Sequence, residues 1–500
     1  MRNFSKSKLM ALRQCEKRLW LEVHHPELRD DSEQAEYRFQ VGHQVGDMAR
    51  DLFDPDHKGV LIDIAKEGFA AAFARSTDLL QHNQPVFEAG FCGGGALAFA
   101  DVMLPSVDSG KLSWRMIEVK SSTSVKDYHR DDIAVQAYVA TVNGIPLESV
   151  SLAHIDSSWT YPGGGDYEGL LKVNALTEEA LSRHEEVQAW VQRANAVVEN
   201  PQEPSVAIGA HCDAPFECGF YPYCSRDEPK PEFPVYWLPR FPSAKIRELA
   251  ESGIDDLRDV PDEMLNARQR LVKTHTLENR TYFDALGAAA DLAAYPLPAY
   301  FLDFETIQFP VPIWAGTRPY QQIPFQFSLH VVTAEGLLEH AEFLDLSGGD
   351  PSSPFADELI RLCGENDHPV FVYNAAFERS RINELAQRFP EKSSHLLAIN
   401  ERIVDLLPVA RQRYYHPSQH GSWSIKAVLP AVVPELKYQD LEGVQDGGMA
   451  MEAFLEALHP QTSTDAKERI RKQLLAYCQL DTYAMVRLWQ VFSGHQELAL

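Results

Sequence analysis

A proline-rich segment, EPKPEFPVY at residues 228–236, interrupts a chain of 500 residues. One hydrophobic core rarely grows beyond roughly 250–300 residues, so a chain of this length is expected to form two or three domains. Clustered prolines break helical and strand periodicity and mark boundaries. We therefore predict a domain at residues 1–228, a helical linker at residues 229–295 and a second domain at residues 296–500.

The predicted linker has a helical pattern with a glycine turn. Residues 243–264 indicate a helix, a turn at Gly253 and a second short helix. This pattern is compatible with a helix–hairpin–helix unit whose turn amides bind a phosphate, and with an ordinary helical spacer.

Composition and charge restrict the class of protein. The chain is 45% hydrophobic and 24% charged, as expected for a globular protein. Its N-terminus has no uninterrupted apolar region, and Asp291 and two prolines break the longest apolar tract, so we predict no signal peptide, no membrane partner and a cytoplasmic location. The net charge of −26 means that nucleic acid would have to be bound through local basic patches or cations.

Charged residues on predicted strands form a first candidate site. The sequence MIEVK places Glu118 and Lys120 two apart, on one face of a strand, and Asp101 is predicted to end the preceding strand. Two carboxylates can hold a divalent cation, while a neighbouring lysine orients or deprotonates the attacking water. An isolated Glu-x-Lys is usually an exposed strand face or an ion pair, so the interpretation depends on context.

A second acidic pattern lies in the last 205 residues of the chain. Asp303 and Glu305 share one face of the predicted strand AYFLDFETI, and Tyr477 and Asp481 share one face of a helix. Glu378 follows an apolar strand between them. If these acids bind metal together, their carboxylates must cluster. Separation of Asp303 and Asp481 by more than about 8 Å would exclude a shared two-metal centre.

Four of the seven cysteines form a further pattern. Cys212, Cys218 and Cys224 follow one another at six-residue steps, and Cys15 lies near the N-terminus. Four thiolates can hold zinc or an iron–sulfur cluster, and their number does not decide between the two. The remaining three, Cys92, Cys363 and Cys478, are predicted to be small buried apolar residues.

Residues 1–226 resemble RecB-like PD-(D/E)xK nucleases, in which a strand aspartate and Glu-x-Lys precede a helix with glutamine and tyrosine. The resemblance implies metal ligands at His43, Asp101 and Glu118, a catalytic Lys120, and substrate binding by Gln136 and Tyr138. AddB and CRISPR-associated members carry a [4Fe–4S] cluster. By this resemblance its ligands are Cys15, Cys212, Cys218 and Cys224, with zinc as the alternative occupant.

Residues 296–500 resemble the DEDD exonucleases, which are DnaQ-like enzymes of ribonuclease H-like fold, and an uncharacterised bacterial domain family that commonly follows RecB-like nucleases. The tyrosine places the chain nearest the DEDDy branch. The resemblance implies that two Mg²⁺ or Mn²⁺ ions are held by Asp303, Glu305, Glu378 and Asp481. It further implies that Tyr477 positions the attacking water and that Asn374 binds substrate. Glu378 departs from the aspartate usual at its position.

These patterns predict an α/β protein with two mixed-sheet nuclease domains, one restriction-endonuclease-like and one ribonuclease H-like. We expect metal-dependent hydrolysis of DNA with single-stranded character, with 3′–5′ trimming by the second domain, in DNA repair or defence. Two alternatives remain open: a ribonuclease, or a non-catalytic iron–sulfur component of a larger nucleic-acid-binding complex.

Overall fold

The computed structural model describes residues 2–31, 33–228 and 230–495. The chain forms two compact units: unit 1 comprises Met1–Glu228 and Phe309–Tyr320, and unit 2 comprises Pro229–Gln308 and Gln321–Leu500. Each unit has a mixed central sheet with helices, so the predicted α/β class with two mixed-sheet units is confirmed.

Unit 1 is built on a sheet of seven strands in the described part of the chain. Its strands are β1 (Phe4–Ser5), β2 (Val60–Leu61), β3 (Val86–Gly93), β4 (Ala96–Asp108), β5 (Lys111–Lys120), β6 (Leu147–Ile155) and β7 (Leu171–Ala175). Its helices are α1 (Lys6–Gln14), α2 (Glu16–His24), α3 (Glu33–Phe53), α4 (Ile64–Glu67), α5 (Phe69–Leu79), α6 (Asp127–Val142), α7 (Thr177–Ser182), α8 (His184–Glu199) and α9 (Tyr221–Cys224).

The strand order of this sheet is β2-β3-β4-β5-β6-β7, with β1 pairing beside the start of β4. β3, β4 and β5 are antiparallel neighbours, and β5 and β6 are parallel. β4 continues to Asp108, so Asp101 lies inside the strand and not at its end as expected. Val102 and Met103, which follow Asp101, are both buried and pair with β3 on one side and β5 on the other.

Residues 309–320 pack within unit 1, although the sequence predicts them to be part of the second domain. Val311 joins a buried apolar cluster with Val45 and Ile155. The hydroxyl of Tyr167 donates to the carbonyl of Pro312 at 3.0 Å. These contacts are long-range in sequence, so no local pattern could indicate them.

Unit 2 contains a five-stranded sheet and a short two-stranded ribbon among its described residues. Its strands are β8 (Tyr282–Phe283), β9 (Ala299–Ile307), β10 (Ile323–Val332), β11 (Leu338–Leu344), β12 (Val370–Val372), β13 (Ile403–Asp405) and β14 (Tyr414–Tyr415). Its helices are α10 (Ser243–Glu251), α11 (Ala267–Leu277), α12 (Ala285–Leu292), α13 (Ser352–Cys363), α14 (Ala376–Arg388), α15 (Ser393–Glu401), α16 (Leu406–Arg413), α17 (Ile425–Val432), α18 (Gly447–Leu458) and α19 (Thr464–Ser493).

The larger sheet has the order β11-β10-β9-β12-β13. β9 runs antiparallel to β10 and parallel to β12, but it pairs with β12 only through Tyr300 and Phe301. The rest of β9 therefore diverges from β12. α19 packs across this region, where the ring of Trp489 contacts Phe301 edge-on at a centroid distance of 5.8 Å.

The region predicted as a helical linker belongs to unit 2. After α10 and a turn at Gly253, the chain forms 3-10 turns at Leu257–Asp259 and Asp262–Met264 in place of the expected second helix. Pro261 separates these turns, and a residue before proline is disfavoured in the helical conformation. None of the helices in the described part of the chain is long and apolar enough to cross a membrane.

Candidate metal centre

Three carboxylates converge in unit 2. Within the part of the chain that the structure describes, Asp303, Glu305 and Asp481 form the one group of three His, Cys, Asp or Glu residues whose ligand atoms all lie within 4.8 Å of one another. This separation is below the limit of about 8 Å set by a shared two-metal centre. The geometry therefore permits one small cation site to use all three side chains.

The backbone explains this convergence. Asp303 and Glu305 are two apart on β9, so they project from the same face of the strand. They follow the point where β9 leaves β12, which leaves room beside them. α19 crosses the sheet there and presents Asp481 and Tyr477, which are one helical turn apart.

Burial and like charge raise the pKa values of these carboxyl groups. Burial first, and then the charges of Asp481 and Glu305, raise the pKa of Asp303 well above its ordinary value. The same two effects, burial and the charge of Asp481, raise the pKa of Glu305 to about 8. Burial raises the pKa of Asp481 to about 6, against the opposing hydrogen bond from Tyr438. Among the described residues, no lysine, arginine or histidine lies within ion-pair distance of these carboxylates.

Glu378 lies beside this cluster, in the first turn of α14, but it is outside the group within 4.8 Å. Its side chain is 2% exposed, and its charge contributes to the raised pKa of Asp303. Burial and the charge of Asp405 raise the pKa of Glu378 itself to about 8. Its Oε2 atom is buried and has no hydrogen-bond partner among the described residues. The structure thus places a further buried carboxylate within electrostatic range of Asp303.

Asn374 lies in the turn before α14, with an exposed side chain and a positive φ of 77°. The carboxylate of Asp405 accepts hydrogen bonds from the backbone N–H groups of Asn374 at 2.9 Å and Ala375 at 3.1 Å. Asp405 also caps α16 through the N–H of Leu407. Its role is therefore to hold the turn that carries Asn374 and Glu378.

Two further residues of unit 2, Tyr438 and Lys426, lie near the acidic cluster. The hydroxyl of Tyr438 donates to Asp481 at 2.5 Å, and the ammonium of Lys426 lies 5.2 Å from the ring of Tyr477. Burial and the charge of Asp481 raise the pKa of Tyr477, so its hydroxyl remains a proton donor at neutral pH. Cys478 is buried as expected, with its Sγ 3.9 Å from an oxygen of the Asp303 carboxylate.

The predicted site in unit 1 contains two lysines. Lys120 contacts Glu118 at 2.6 Å and Asp132 at 2.5 Å, and Lys6 contacts the same two carboxylates at 2.8 and 3.3 Å. Burial would raise the pKa of Glu118, but the charges of Lys120 and Lys6 hold it well below its ordinary value. Sequence reasoning missed Lys6 and Asp132 because their partners are distant along the chain.

Two further acids face each other beside these lysines. Asp101 lies opposite Glu88 between the paired positions of β4 and β3, and Glu88 has a positive φ of 56°. Burial and then the charge of Glu118 raise the pKa of both groups. His43 is exposed on α3, and its charge reaches Glu88. Among the described residues, the predicted ligands therefore share one neighbourhood but do not form a group of three within 4.8 Å.

Gln136 and Tyr138 point in different directions. Gln136 is fully buried, its Nε2 donates to Glu118, and its Oε1 has no partner among the described residues. Tyr138 instead donates to the carbonyl of Gly94 at 3.1 Å and packs in the core. Residues two apart on a helix project about 200° from each other, so both cannot face one site. The expected substrate role of Tyr138 is therefore replaced by a core role.

The four predicted cluster cysteines line one cavity of unit 1. All four are free thiols, and Cys212, Cys218 and Cys224 each interact electrostatically with Cys15. Burial raises the pKa of the Cys218 thiol, while the neighbouring Arg18 opposes this shift. No three of the four sulfurs lie within 4.8 Å of one another. Tetrahedral zinc with bonds of about 2.3 Å would bring its sulfurs to about 3.8 Å, so the spacing is wider than zinc requires.

Comparison with protein families gives one match in unit 2. Residues 300–424 match a domain of unknown function, DUF2779. The match includes Asp303, Glu305 and Glu378 and ends before Asp481. A search of curated proteins gives no significant match.

Proposed function

We propose that the chain is a divalent-metal-dependent nuclease, with a hydrolytic centre in unit 2 built on Asp303, Glu305 and Asp481. The observation that carries the proposal is the convergence of these carboxylates within 4.8 Å without an ion-pair partner in the described chain. Such a group is self-repelling, and a bound cation would relieve the repulsion.

The donor set fits Mg²⁺ or Mn²⁺. Both ions prefer oxygen ligands, and the cluster offers carboxylate oxygens. The buried, unpartnered Oε2 of Glu378 is a further ligand atom next to them. Two such ions, when bound, supply a clamp on the attacking and leaving oxygens of a phosphodiester.

The surrounding residues have roles that follow from their contacts. Tyr438 fixes the orientation of Asp481 through its hydrogen bond, and the protonated hydroxyl of Tyr477 can orient a water near the acids. The positive charge of Lys426 partly opposes the rise in the pKa values of Glu305 and Asp481 that burial causes. It is suited to offset the charge of a phosphate that approaches the cluster.

We propose a second, RecB-like nuclease site in unit 1 at Asp101, Glu118 and Lys120. It is supported by the two lysines that contact Glu118 and by the acids Glu88 and Asp101 on the facing strands. DNA with single-stranded character as the substrate, trimming from the 3′ end and a role in DNA repair or defence are proposed from the family resemblances.

A cleavage assay tests the proposal. End-labelled single- and double-stranded DNA and RNA are incubated with Mn²⁺, Mg²⁺ or chelator. We expect shortening of single-stranded DNA from its 3′ end with Mn²⁺. Asp481→Asn should reduce it at least about 100-fold, because loss of even an outer-sphere partner costs ~10–100-fold. The exposed Asp367→Asn is the matched control, and Lys120→Met should leave 3′ trimming intact.

The outcomes are separable. Cleavage that resists both chelator and Asp481→Asn would contradict the proposal. Strand binding without any cleavage would favour the non-catalytic component, and cleavage restricted to RNA would identify a ribonuclease.

We also propose that Cys15, Cys212, Cys218 and Cys224 bind a [4Fe–4S] cluster. Their convergence on one cavity and their spacing support a cluster larger than a single zinc ion. Anaerobically purified protein should be brown, with about four irons per chain for one such cluster. Cys218→Ser should lose the iron, whereas Cys92→Ser should retain it. One zinc per chain in a colourless protein would overturn this assignment.

A further inference from the structure

A cavity of unit 2, of about 820 Å³, is lined by arginines from three different segments of the chain. Arg240 follows the 3-10 turn Val235–Trp237, Arg268 lies in the first turn of α11, and Arg411 lies in the last turn of α16. We refer to these three residues as the arginine pocket. A fourth arginine of the lining, Arg413, forms ion pairs with Asp284 and Asp291.

The three arginines of the pocket have no compensating acid. Within the described chain, none of them has a carboxylate within 4.0 Å, and their guanidinium groups make no side-chain hydrogen bond. Burial, and then the charges of Arg411 and Arg240, lower the pKa of Arg268. The group is thus a concentration of positive charge in a chain whose net charge is −26. Neighbouring positive charges repel one another, and a bound anion would relieve this repulsion.

The walls that carry the arginines are tied together. The side chain of Gln269 in α11 donates to the carbonyl of Pro239, next to Arg240, at 3.1 Å. The hydroxyls of Thr276 in α11 and Tyr415 in β14 lie 2.7 Å apart in a buried hydrogen bond. These bonds hold together the backbone segments that carry the arginines, of which Arg268 and Arg411 are partly buried and Arg240 is exposed.

A third tie fixes the loop after α16. Gly421, with φ +74°, passes so close to the carbonyl of Trp237 that a Cβ atom there would lie 1.6 Å from its oxygen. The ring of His420 stacks on Trp237 at a centroid distance of 4.0 Å. This loop leads to Trp423, whose ring forms part of the pocket wall beneath the guanidinium of Arg268 at 5.8 Å.

The same wall is bonded to the turn beside the acidic cluster. The carbonyl of Trp423 accepts a hydrogen bond of 2.8 Å from the hydroxyl of Tyr373, the residue before Asn374. The carboxylate of Asp405 holds the turn at Asn374 in place. Arg411 lies six residues after Asp405 on α16, a distance of about 9 Å along a helix. A strand whose 3′ end lies at the acidic cluster and whose 5′ side follows this wall would place its phosphates at the pocket.

We infer that Arg240, Arg268 and Arg411 form a phosphate-binding pocket that holds the backbone of a single-stranded nucleic acid. Guanidinium groups match phosphate oxygens in bidentate geometry. The indole beside Arg268 adds an aromatic surface of the kind that strand-binding grooves combine with positive charge. This inference names the substrate contact of the proposed nuclease and rests on that proposed function.

The test is strand binding in chelator, where metal-dependent cleavage is absent. A fluorescent oligothymidylate, with and without a 5′-phosphate, is titrated at several salt concentrations. In the Arg240→Gln, Arg268→Gln, Arg411→Gln variant, the slope of log affinity against log salt should fall by about 2, since each phosphate contact on a single strand contributes about 0.7. Arg280→Gln, an exposed arginine of unit 2 outside the pocket, is the single-charge control.

Equal weakening for both oligonucleotides supports contact with internal phosphates, and weakening only for the 5′-phosphorylated strand supports capture of a terminal phosphate. Competition by inorganic phosphate shows whether a single phosphate group is enough to occupy the arginine pocket. A salt slope in the triple variant equal to that of Arg280→Gln overturns the inference. An inactive protein whose strand binding still requires the three arginines would instead overturn only the proposed hydrolysis. Thermal unfolding of the triple variant should match the wild type, because the three pocket arginines make no ion pair in the described chain.

Discussion

The two candidate sites solve the problem of buried negative charge in opposite ways. In unit 1, Lys6 and Lys120 contact Glu118 and Asp132, and the pKa of Glu118 lies below its ordinary value. In unit 2, Asp303 and Glu305 have raised pKa values and no ion-pair partner in the described chain. The first site is partly neutralised by its own residues. The second is left for an external cation, so the two should differ in their dependence on metal.

The largest expected effect is stabilisation of unit 2 by metal. Mn²⁺ at about 1,000 times its dissociation constant should raise the free energy of unfolding by about 4 kcal/mol, because it binds the folded state. Thermal or denaturant unfolding with and without Mn²⁺ measures this gain, and Asp303→Asn should remove most of it. Asp367→Asn should keep the full gain. An equal loss of Mn²⁺ stabilisation in both variants would show that the metal does not bind at Asp303.

The second effect is on pH dependence in chelator. The folded pKa values of Glu305, about 8, and Asp481, about 6, are raised. Their contribution to stability is therefore complete below the unfolded values near 4 and is lost as the pH rises through about 6 and 8. We expect unit 2 to lose up to about 5 kcal/mol between pH 5 and 8, because each unit of pKa shift that titrates in this range is worth about 1.4 kcal/mol. Glu305→Gln should flatten this slope. If Glu305→Gln leaves the dependence of stability on pH unchanged, Glu305 is not the group that titrates near pH 8.

The third effect concerns the contact between Lys6 and Glu118 in unit 1. Lys6→Met keeps the length of the side chain but leaves Glu118, which is 1% exposed, with one cationic partner fewer. Weakening a buried charged contact of this kind should cost about 1–2 kcal/mol of unfolding free energy, measured by denaturant titration. Lys58→Met, at an exposed ion pair, should change stability by less than about 0.5 kcal/mol. A loss as large for Lys58 would show that Lys6 has no special role.

The smallest effect concerns water positioning. Tyr477→Phe removes the hydroxyl beside Asp481 but no metal ligand. We expect cleavage to slow about tenfold, or about 1.4 kcal/mol in the barrier, with Mn²⁺ affinity unchanged within about threefold. Titration calorimetry and single-turnover cleavage separate the two quantities. A parallel loss of affinity and rate would assign the tyrosine to the metal site itself.

Local periodicity was enough to predict part of both sites. Spacing of two on a strand places Asp303 beside Glu305, and spacing of four on a helix places Tyr477 beside Asp481. The prediction that both Gln136 and Tyr138 bind substrate did not take into account that residues two apart on a helix project in nearly opposite directions. The α/β class with mixed sheets also followed from these patterns.

Long-range packing accounts for the residues that the sequence did not indicate. Lys6 reaches Glu118 across 112 positions, and Tyr438 reaches Asp481 across 43. Neither contact leaves a period or a motif in the sequence. Burial of residues 309–320 in unit 1 depends likewise on distant apolar partners such as Val45.

The most direct test of the central claim is the location of bound Mn²⁺ by anomalous scattering from crystals of the protein. The account predicts a peak within about 2.0–2.6 Å of carboxylate oxygens of Asp303, Glu305 and Asp481, with a second peak about 3.5–4 Å away next to Glu378. Asp303→Asn crystals under the same conditions should lose at least one peak. Absence of any peak at these carboxylates in wild-type crystals at saturating Mn²⁺ would contradict the account.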